Sequence, residues 1–240
     1  MPNTPIILFG ATGRMGRAIR ASLGEFPDAG LVACVARSTD DVACPPGCAW
    51  MTPEDLTSAT SFSKEAVVID VSLAAGTAGL LDWLERSPRA LVSATTGLSE
   101  TDEGRIRALS ERAAILRARN LSAGNSIASG MLRSVPDAGK ALFEIDLIEH
   151  HHAAKRDAPS GTALAWASLL EPAEVRVHSI RSGTAAGTHR ALFAGAGETL
   201  EVIHTVQDRA VFARGALRAA CFLAGKRPGL YTLEQMLGGS

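Results

Sequence analysis

The segment Glu149-His150-His151-His152-Ala153-Ala154-Lys155-Arg156-Asp157-Ala158-Pro159-Ser160-Gly161-Thr162 concentrates polar chemistry and holds three of the six histidines in the chain. In an extended strand successive side chains alternate between faces, so His150 and His152 share one side and His151 takes the other. Imidazole titrates near neutral pH, and one of the three can deliver a proton to carbon or nitrogen as a hydride arrives. Reduction of a conjugated C=C or C=N bond needs that pairing. Ser160 is a good helix N-cap ahead of the helix formers Ala163 to Leu170, and the freed amides of that first turn make an anion site. Lys155, a few residues upstream, adds a cation beside amide and hydroxyl donors, which suits a substrate bearing carboxylates. Against these stand blander readings: His150 as a surface residue, and the trio as metal ligands, which no carboxylate and histidine set at helical spacing supports.

A second constellation lies near the start of the chain, where Gly10, Gly13 and Gly16 follow the apolar run Ile6 to Phe9 and open a helical pattern through Ala18, Ile19 and Leu23. Strand, glycine turn and helix together form a cradle for a pyrophosphate: the turn is tight, the backbone approaches closely, and the helix N-terminus is positive. The bland alternative is a glycine turn serving helix packing alone. In NAD-binding sites a carboxylate at the end of the second strand holds the adenosine ribose hydroxyls. Here Ala36 stands there, followed by Arg37 and Ser38. Loss of the acid removes a repulsion and Arg37 supplies a charge partner for a 2′-phosphate, so NADPH is the expected cofactor, with NADH possible.

The elements that must position these residues follow from apolar periodicity. Strands are expected at Ile6–Phe9, Leu31–Ala36, Ala66–Val71, Ala90–Ala94 and Ala114–Leu116, with helices near Thr77–Glu85 and Glu100–Ala113. Such alternation predicts a parallel, doubly wound α/β sheet. From Phe143 onward the pattern changes: strands at Phe143–Glu149, Val175–Arg181, Ala191–Ala194 and Glu198–Val206 surround one helix, Ser160–Leu170, and predict a second α+β domain with an antiparallel or mixed sheet. Ala213–Leu237 reads as helical, broken by Gly-Lys-Arg-Pro-Gly.

Composition fits this picture. Of 240 residues 46% are hydrophobic and 20% charged, enough to bury one large core or two modest ones. With 24 Lys and Arg against 25 Asp and Glu, the net charge of -1 argues against nucleic acid and against anionic membrane surfaces as partners. No apolar run approaches the roughly 20 residues that span a bilayer, and no secretory leader is evident, so a cytoplasmic location is the default expectation. Cys34 and Cys221 read as small core residues; Cys44 and Cys48 flank a Pro-Pro-Gly turn but lack the second pair that a structural zinc requires.

Over nearly the whole chain these motifs resemble the 4-hydroxy-tetrahydrodipicolinate (dihydrodipicolinate) reductase family of lysine and diaminopimelate synthesis. The matching residues are Gly10 to Gly16, Thr95-Thr96-Gly97, Asn120-Leu121-Ser122 and, most specifically, Glu149 to Ala163. The resemblance implies that His151 is the proton donor, His152 a substrate contact and Lys155 the essential lysine, with Ser160, Gly161 and Thr162 holding a substrate carboxylate. Cofactor contacts are implied for the turn Gly10, Ala11, Thr12, Gly13, Arg14, Met15 and Gly16, for Ala36 and Arg37, for Ala94, Thr95 and Thr96, and for Ala118, Arg119, Asn120 and Leu121. Ala36 departs from the family's usual acid and Leu121 from an aromatic. The implied architecture is a Rossmann domain over 1–122 and 209–240, interrupted by a substrate-binding domain over 123–208 whose sheet builds a homotetramer. The implied substrate is a small-molecule dicarboxylate, and no metal is called for. Two rivals stand beside this: a non-catalytic nucleotide-sensing protein, which would not need His151, Lys155 and the Ser-Gly-Thr loop, and an aspartate- or homoserine-type dehydrogenase, whose substrate constellation is not evident.

Overall fold

The computed structural model describes residues 4–38, 47–58 and 62–238. Contacts divide the chain into two units, one formed by the residues up to Leu121 together with those from Phe212 onward, the other by Ser122–Val211.

The first unit opens with β1 (Thr4–Phe9), α1 (Arg14–Ser22) and β2 (Ala29–Val35), followed by the short β3 (Ala49–Met51) and α2 (Pro53–Ser58). Then come β4 (Val67–Asp70), α3 (Ala74–Arg86), β5 (Leu91–Ser93), α4 (Glu100–Leu109) and β6 (Ala114–Arg117). These strands form an all-parallel sheet with a last strand from the far end of the chain, β11 (Gly229–Tyr231), in the order β11-β6-β5-β4-β1-β2-β3. Both faces are covered, so central strands read as continuous apolar runs rather than alternating ones. Along β1, Ile6 and Leu8 pack with Ile19 of α1 and with Ala216 and Leu217. Ile7 and Phe9 point the other way, to Leu80, Leu81 and Leu84 of α3 and Ile106 of α4. This is the expected doubly wound α/β, Rossmann-type arrangement.

The C-terminal stretch corrects one expectation. Its helix, α8 (Ala210–Leu223), ends at the break, and the residues beyond form β11 and the short α9 (Leu233–Met236) instead of more helix. The outer edge of β6 offers unpaired backbone groups, and β11 satisfies them by pairing Gly229, Leu230 and Tyr231 with Ala114, Ile115 and Leu116.

The second unit contains α5 (Ala123–Arg133), α6 (Asp137–Lys140), β7 (Glu144–His151), α7 (Gly161–Leu169), β8 (Val175–Arg181), β9 (Gly187–Gly195) and β10 (Glu198–Val206). Its sheet is mixed, in the order β10-β9-β7-β8: β7 runs parallel to β8 and antiparallel to β9, and β9 runs antiparallel to β10. One face carries Ile145, Leu147, Ala191 and Phe193 against Leu132 of α5 and Trp166 of α7. The opposite face has no helix of this unit packed on it in that cluster, and Ile203 and Ile180 are 57% and 45% exposed there. Among the described residues no helix is long and apolar enough to cross a membrane.

Candidate active site

Strand alternation builds the polar cluster of the second unit. Along β7, Ile145, Leu147, Glu149 and His151 are buried while Asp146, Ile148 and His150 lie on the other face. The core supplied by Ile145 and Leu147 therefore continues, at the carboxyl end of β7, into an acid as deeply buried as they are and a histidine nearly so. Burying such groups costs several kcal/mol each unless they are paired, and here they are paired. Arg181, which stands beside His151 in the parallel register of β8, donates from Nη2 to Glu149 Oε1 at 2.6 Å. The backbone N–H of Ser160 donates to the same oxygen at 3.2 Å. The second oxygen, Oε2, is in close contact with His151 Nδ1. His189 stands opposite Glu149 on β9, its ring centroid 5.0 Å from that of His151 and its Nε2 3.1 Å from Ser160 Oγ. Ser160 Oγ also accepts from Ala163 N at 3.2 Å, as an N-cap of α7 should.

The electrostatics follow from this geometry. Burial raises the Glu149 carboxyl, but hydrogen bonds from Arg181 and Ser179 and the nearby His151 outweigh it and hold the group down at about 2. Burial pulls His151 below the usual histidine range; Glu149 opposes this, while Lys155 and Arg181 reinforce it. His189 is lowered to about 4 by burial and by repulsion from His151. Glu149, His151 and His189 present atoms close enough to share a metal ion. A divalent cation there would have to displace or sit against the Arg181 guanidinium, so the donor set is better suited to holding a proton than a metal.

The loop after β7 is pinned to the same cluster. Arg181 Nη2 also donates to the carbonyl of Asp157, and Lys155 N donates to His152 O at 3.1 Å. Lys155 Nζ bonds both Asp157 oxygens at 2.8 Å, so the expected cation is present but engaged by a neighbouring carboxylate rather than lying free over the Ser160 turn. His152 is half-buried, and its N–H donates to Ala185 O at 2.9 Å. His150, on the opposite face of β7, pairs with Ser182. Gly161 and Thr162 form the first turn of α7.

In the first unit the other candidate residues converge on the carboxyl edge of the parallel sheet, where α/β folds bind ligands. Gly10 follows β1 and donates to Val35 O at 2.9 Å, Ala36 follows β2, Ala94 N donates to Asp70 O at 3.0 Å, and Ala118 N donates to Ser93 O at 3.0 Å. Thr95 is buried, Thr96 and Arg119 exposed, and Leu121 buried. The glycine turn is as tight as a phosphate cradle requires. Gly10 has φ +91°, and a Cβ on Gly16 would lie 2.3 Å from Gly10 O. Gly13 caps α1 without a side-chain hydrogen bond and no acid occupies the first turn, so Ala11, Thr12, Arg14 and Met15 surround an amide-rich, uncompensated helix start. The backbone closes this tightly because Gly10, Gly13 and Gly16 carry no Cβ, the feature a dinucleotide cradle needs. Arg37 is exposed just beyond β2. Cys44 lies outside the described residues; the thiol of Cys48 is 3.6 Å from that of Cys34.

Four residues of these sites carried no assigned role in the sequence. Glu149 opens the motif, and its place on the His151 face follows from strand alternation. Arg181 and His189 come from strands 30 to 40 residues downstream, with no local pattern to mark them. Ser72, whose backbone a Cβ on Gly10 would meet at 2.9 Å, follows β4 and completes the cradle's rim.

Known proteins resemble the chain throughout. The family model described as dihydrodipicolinate reductase, N-terminus, matches residues 4–121, and that described as dihydrodipicolinate reductase, C-terminus, matches residues 125–237. The 4-hydroxy-tetrahydrodipicolinate reductase of Caldanaerobacter subterraneus subsp. tengcongensis is 34% identical over 97% of this chain and 97% of its own. The enzyme of the same name from Wolinella succinogenes is 37% identical over 96% of this chain and 98% of its own. Among solved structures, a dipicolinate-bound dihydrodipicolinate reductase from Paenisporosarcina sp. superposes with a TM-score of 0.78 at 19% identity, covering 96% of this chain and 97% of the other. An aspartate dehydrogenase from Thermotoga maritima shares the fold at a TM-score of 0.55 and 13% identity, covering 95% and 99%.

Proposed function

The chain belongs to the dihydrodipicolinate reductase family, and on that premise we propose that it reduces (2S,4S)-4-hydroxy-2,3,4,5-tetrahydrodipicolinate, with loss of water, to 2,3,4,5-tetrahydrodipicolinate at the expense of NAD(P)H. The observation that carries this is the buried His151, held by Glu149, which Arg181 pins in turn, next to the capped start of α7. A nucleotide-sensing protein has no use for a costly buried proton donor of this kind, and the glycine cradle alone would serve it.

The nicotinamide cofactor supplies a hydride when bound, and the residues Gly10 to Gly16 with the strand ends at Ala36, Ala94–Thr96 and Ala118–Leu121 hold it. His151 supplies a proton from its imidazolium form to the carbanion-like centre that hydride addition leaves. Lys155 exchanges its Asp157 partner for a substrate carboxylate, which the amides of Gly161 and Thr162 and the Ser160 hydroxyl also bind, and His152 contacts the substrate. Holding the reacting groups in this way contributes several kcal/mol of barrier reduction by positioning alone. NADPH is preferred over NADH, because Ala36 presents no carboxylate to a 2′-phosphate and Arg37 stands exposed beside it.

The second unit also builds a homotetramer. The outer face of its sheet supports this: Ile203, Arg190, Ile148 and His178 form one row across four strands, an ordered mixture of apolar and charged groups that a symmetric contact can cover.

The test is oxidation of each nicotinamide cofactor, followed by absorbance with freshly prepared substrate. Substrate-dependent oxidation, faster with NADPH, is expected. Tight NADPH binding without substrate-dependent oxidation would overturn the assignment in favour of a sensing role.

A further inference from the structure

Two oxygens of one buried carboxylate divide their duties in the second unit. Glu149 Oε1 receives Arg181 Nη2 at 2.6 Å and Ser160 N at 3.2 Å, which fixes the plane of the carboxylate from two sides. Oε2 is left for His151 Nδ1. On the far side of the ring, Nε2 lies 3.0 Å from where a Cβ of Gly187 would stand, so the bare Cα of this glycine leaves that nitrogen unblocked. We propose that Glu149, oriented by Arg181, is a positioning residue for His151: it claims Nδ1, fixes the ring, and makes Nε2 the atom that carries the transferable proton. This rests on the assignment of His151 as proton donor.

A carboxylate on one imidazole nitrogen decides which nitrogen is presented to a ligand and stabilises the imidazolium when it forms. Four groups face the ring. Glu149 on its own strand favours the charged form. Lys155 in the following loop, Arg181 on β8 and His189 on β9 do not. Burial also opposes it. Glu149 is therefore the one group among these that keeps protonated His151 accessible, and Arg181 keeps Glu149 ionised even though it is 1% exposed. A purely structural Glu149, anchoring only Ser160 N and the loop, would affect stability and substrate affinity but would leave the titration of His151 where it is.

The experiment compares wild type with Glu149→Gln, Glu149→Asp and Arg181→Gln. The expected result for Glu149→Gln is a fall in kcat of about a hundredfold or more, the scale of a general acid's contribution. Removing the anion lowers the His151 pKa, so the alkaline limb of kcat/KM, where the acid is lost, moves to lower pH by about one unit or more. NADPH affinity, read by nucleotide fluorescence, stays near wild type. Glu149→Asp retains part of the rate, and Arg181→Gln, which removes a repulsion from His151 together with the group that orients Glu149, lowers kcat without carrying the limb as far down as Glu149→Gln does. Histidine nitrogen NMR of the unsubstituted protein provides a readout free of turnover: at alkaline pH His151 is protonated on Nδ1, with Nε2 bare. A wild-type ring protonated on Nε2 overturns the proposal, as does a Glu149→Gln enzyme with an unmoved pH limb. If Glu149→Gln does not fold, the tautomer and the Glu149→Asp profile decide. Absence of substrate-dependent oxidation in the wild type would count against the proposed reaction, while the tautomer would still report whether Glu149 sets the ring.

Discussion

His189 and His204 stand directly opposite one another on β9 and β10, and each places Nε2 3.1 Å from the hydroxyl of a serine that caps a helix. Ser160 caps α7 and Ser122 caps α5. The two helices that cover the sheet are thus both fastened to it by a histidine, and both histidines are lowered by burial, His189 to about 4. An unfolded chain takes up a proton at each near pH 6.5, whereas the folded chain resists. Stability is therefore lost as pH falls from about 6.5 towards 4, where the unfolded state binds more protons than the folded. Thermal melts across this window should show a falling Tm, and His189→Gln should flatten the dependence. An unchanged slope in that variant would assign the acid sensitivity to other groups.

Gly187 has φ +152° and a hypothetical Cβ within 3.0 Å of His151 Nε2. Gly187→Ala should displace the ring by a few tenths of an ångström or more. Misplacement of a reacting group by about 1 Å can cost a hundredfold, so a fall in kcat of about tenfold is expected, with NADPH affinity unchanged. Steady-state kinetics with nucleotide fluorescence on the same sample separates the two.

Gly16→Ala inserts a methyl 2.3 Å from Gly10 O and 2.6 Å from Ala11 Cα, both backbone atoms that cannot rotate away. The cradle must open, and NADPH binding should weaken by about tenfold or more, a loss of about 1.4 kcal/mol or greater. Gly79→Ala is the matched control: the site is helical and nothing lies within 4 Å. Isothermal titration should show normal binding there, with stability equal or higher by up to about 1 kcal/mol.

Arg37→Ala should raise KM for NADPH about tenfold, the lower end of what a charge-assisted contact contributes, and leave KM for NADH unchanged. Added salt should mimic the substitution, because Arg37 is exposed and screened. Equal effects on the two cofactors would place the discrimination elsewhere.

Ile203→Glu, on the open face of the second sheet, should reduce the particle measured by light scattering to a smaller species. A mass unchanged by the substitution would remove this face from the assembly.

Much of this organisation was legible because it is periodic. Continuous apolar runs marked β1, β2 and β4, and alternation through Glu149-His150-His151 correctly separated the buried histidine from its neighbour. What stayed hidden is non-local or short. Arg181 and His189 gain meaning only when the register of three strands brings them beside Glu149, and no spacing in the chain encodes that register. β3 and β11 have three residues each, too few to show a period, so the residues after Gly225 passed for helix. α5 carries Gly124, Gly130 and two serines among its residues, a weak helix signal on propensity alone. It is held by its Ser122 cap and by packing through Ala128 and Leu132.

The route of the chain has a consequence for synthesis on the ribosome. The first unit's core needs Ala216, Leu217 and Ala220 of α8, and its sheet ends with β11, yet these residues follow the whole of Ser122–Val211. Residues up to Leu121 therefore emerge with one side of their sheet covered by α1 alone and must wait while the intervening segment, contiguous in sequence, gathers all of its own strands. At elongation rates of about 5–20 residues per second, that exposed apolar sheet face persists for several seconds, which makes the nascent N-terminal half, rather than the finished enzyme, the species most in need of a chaperone.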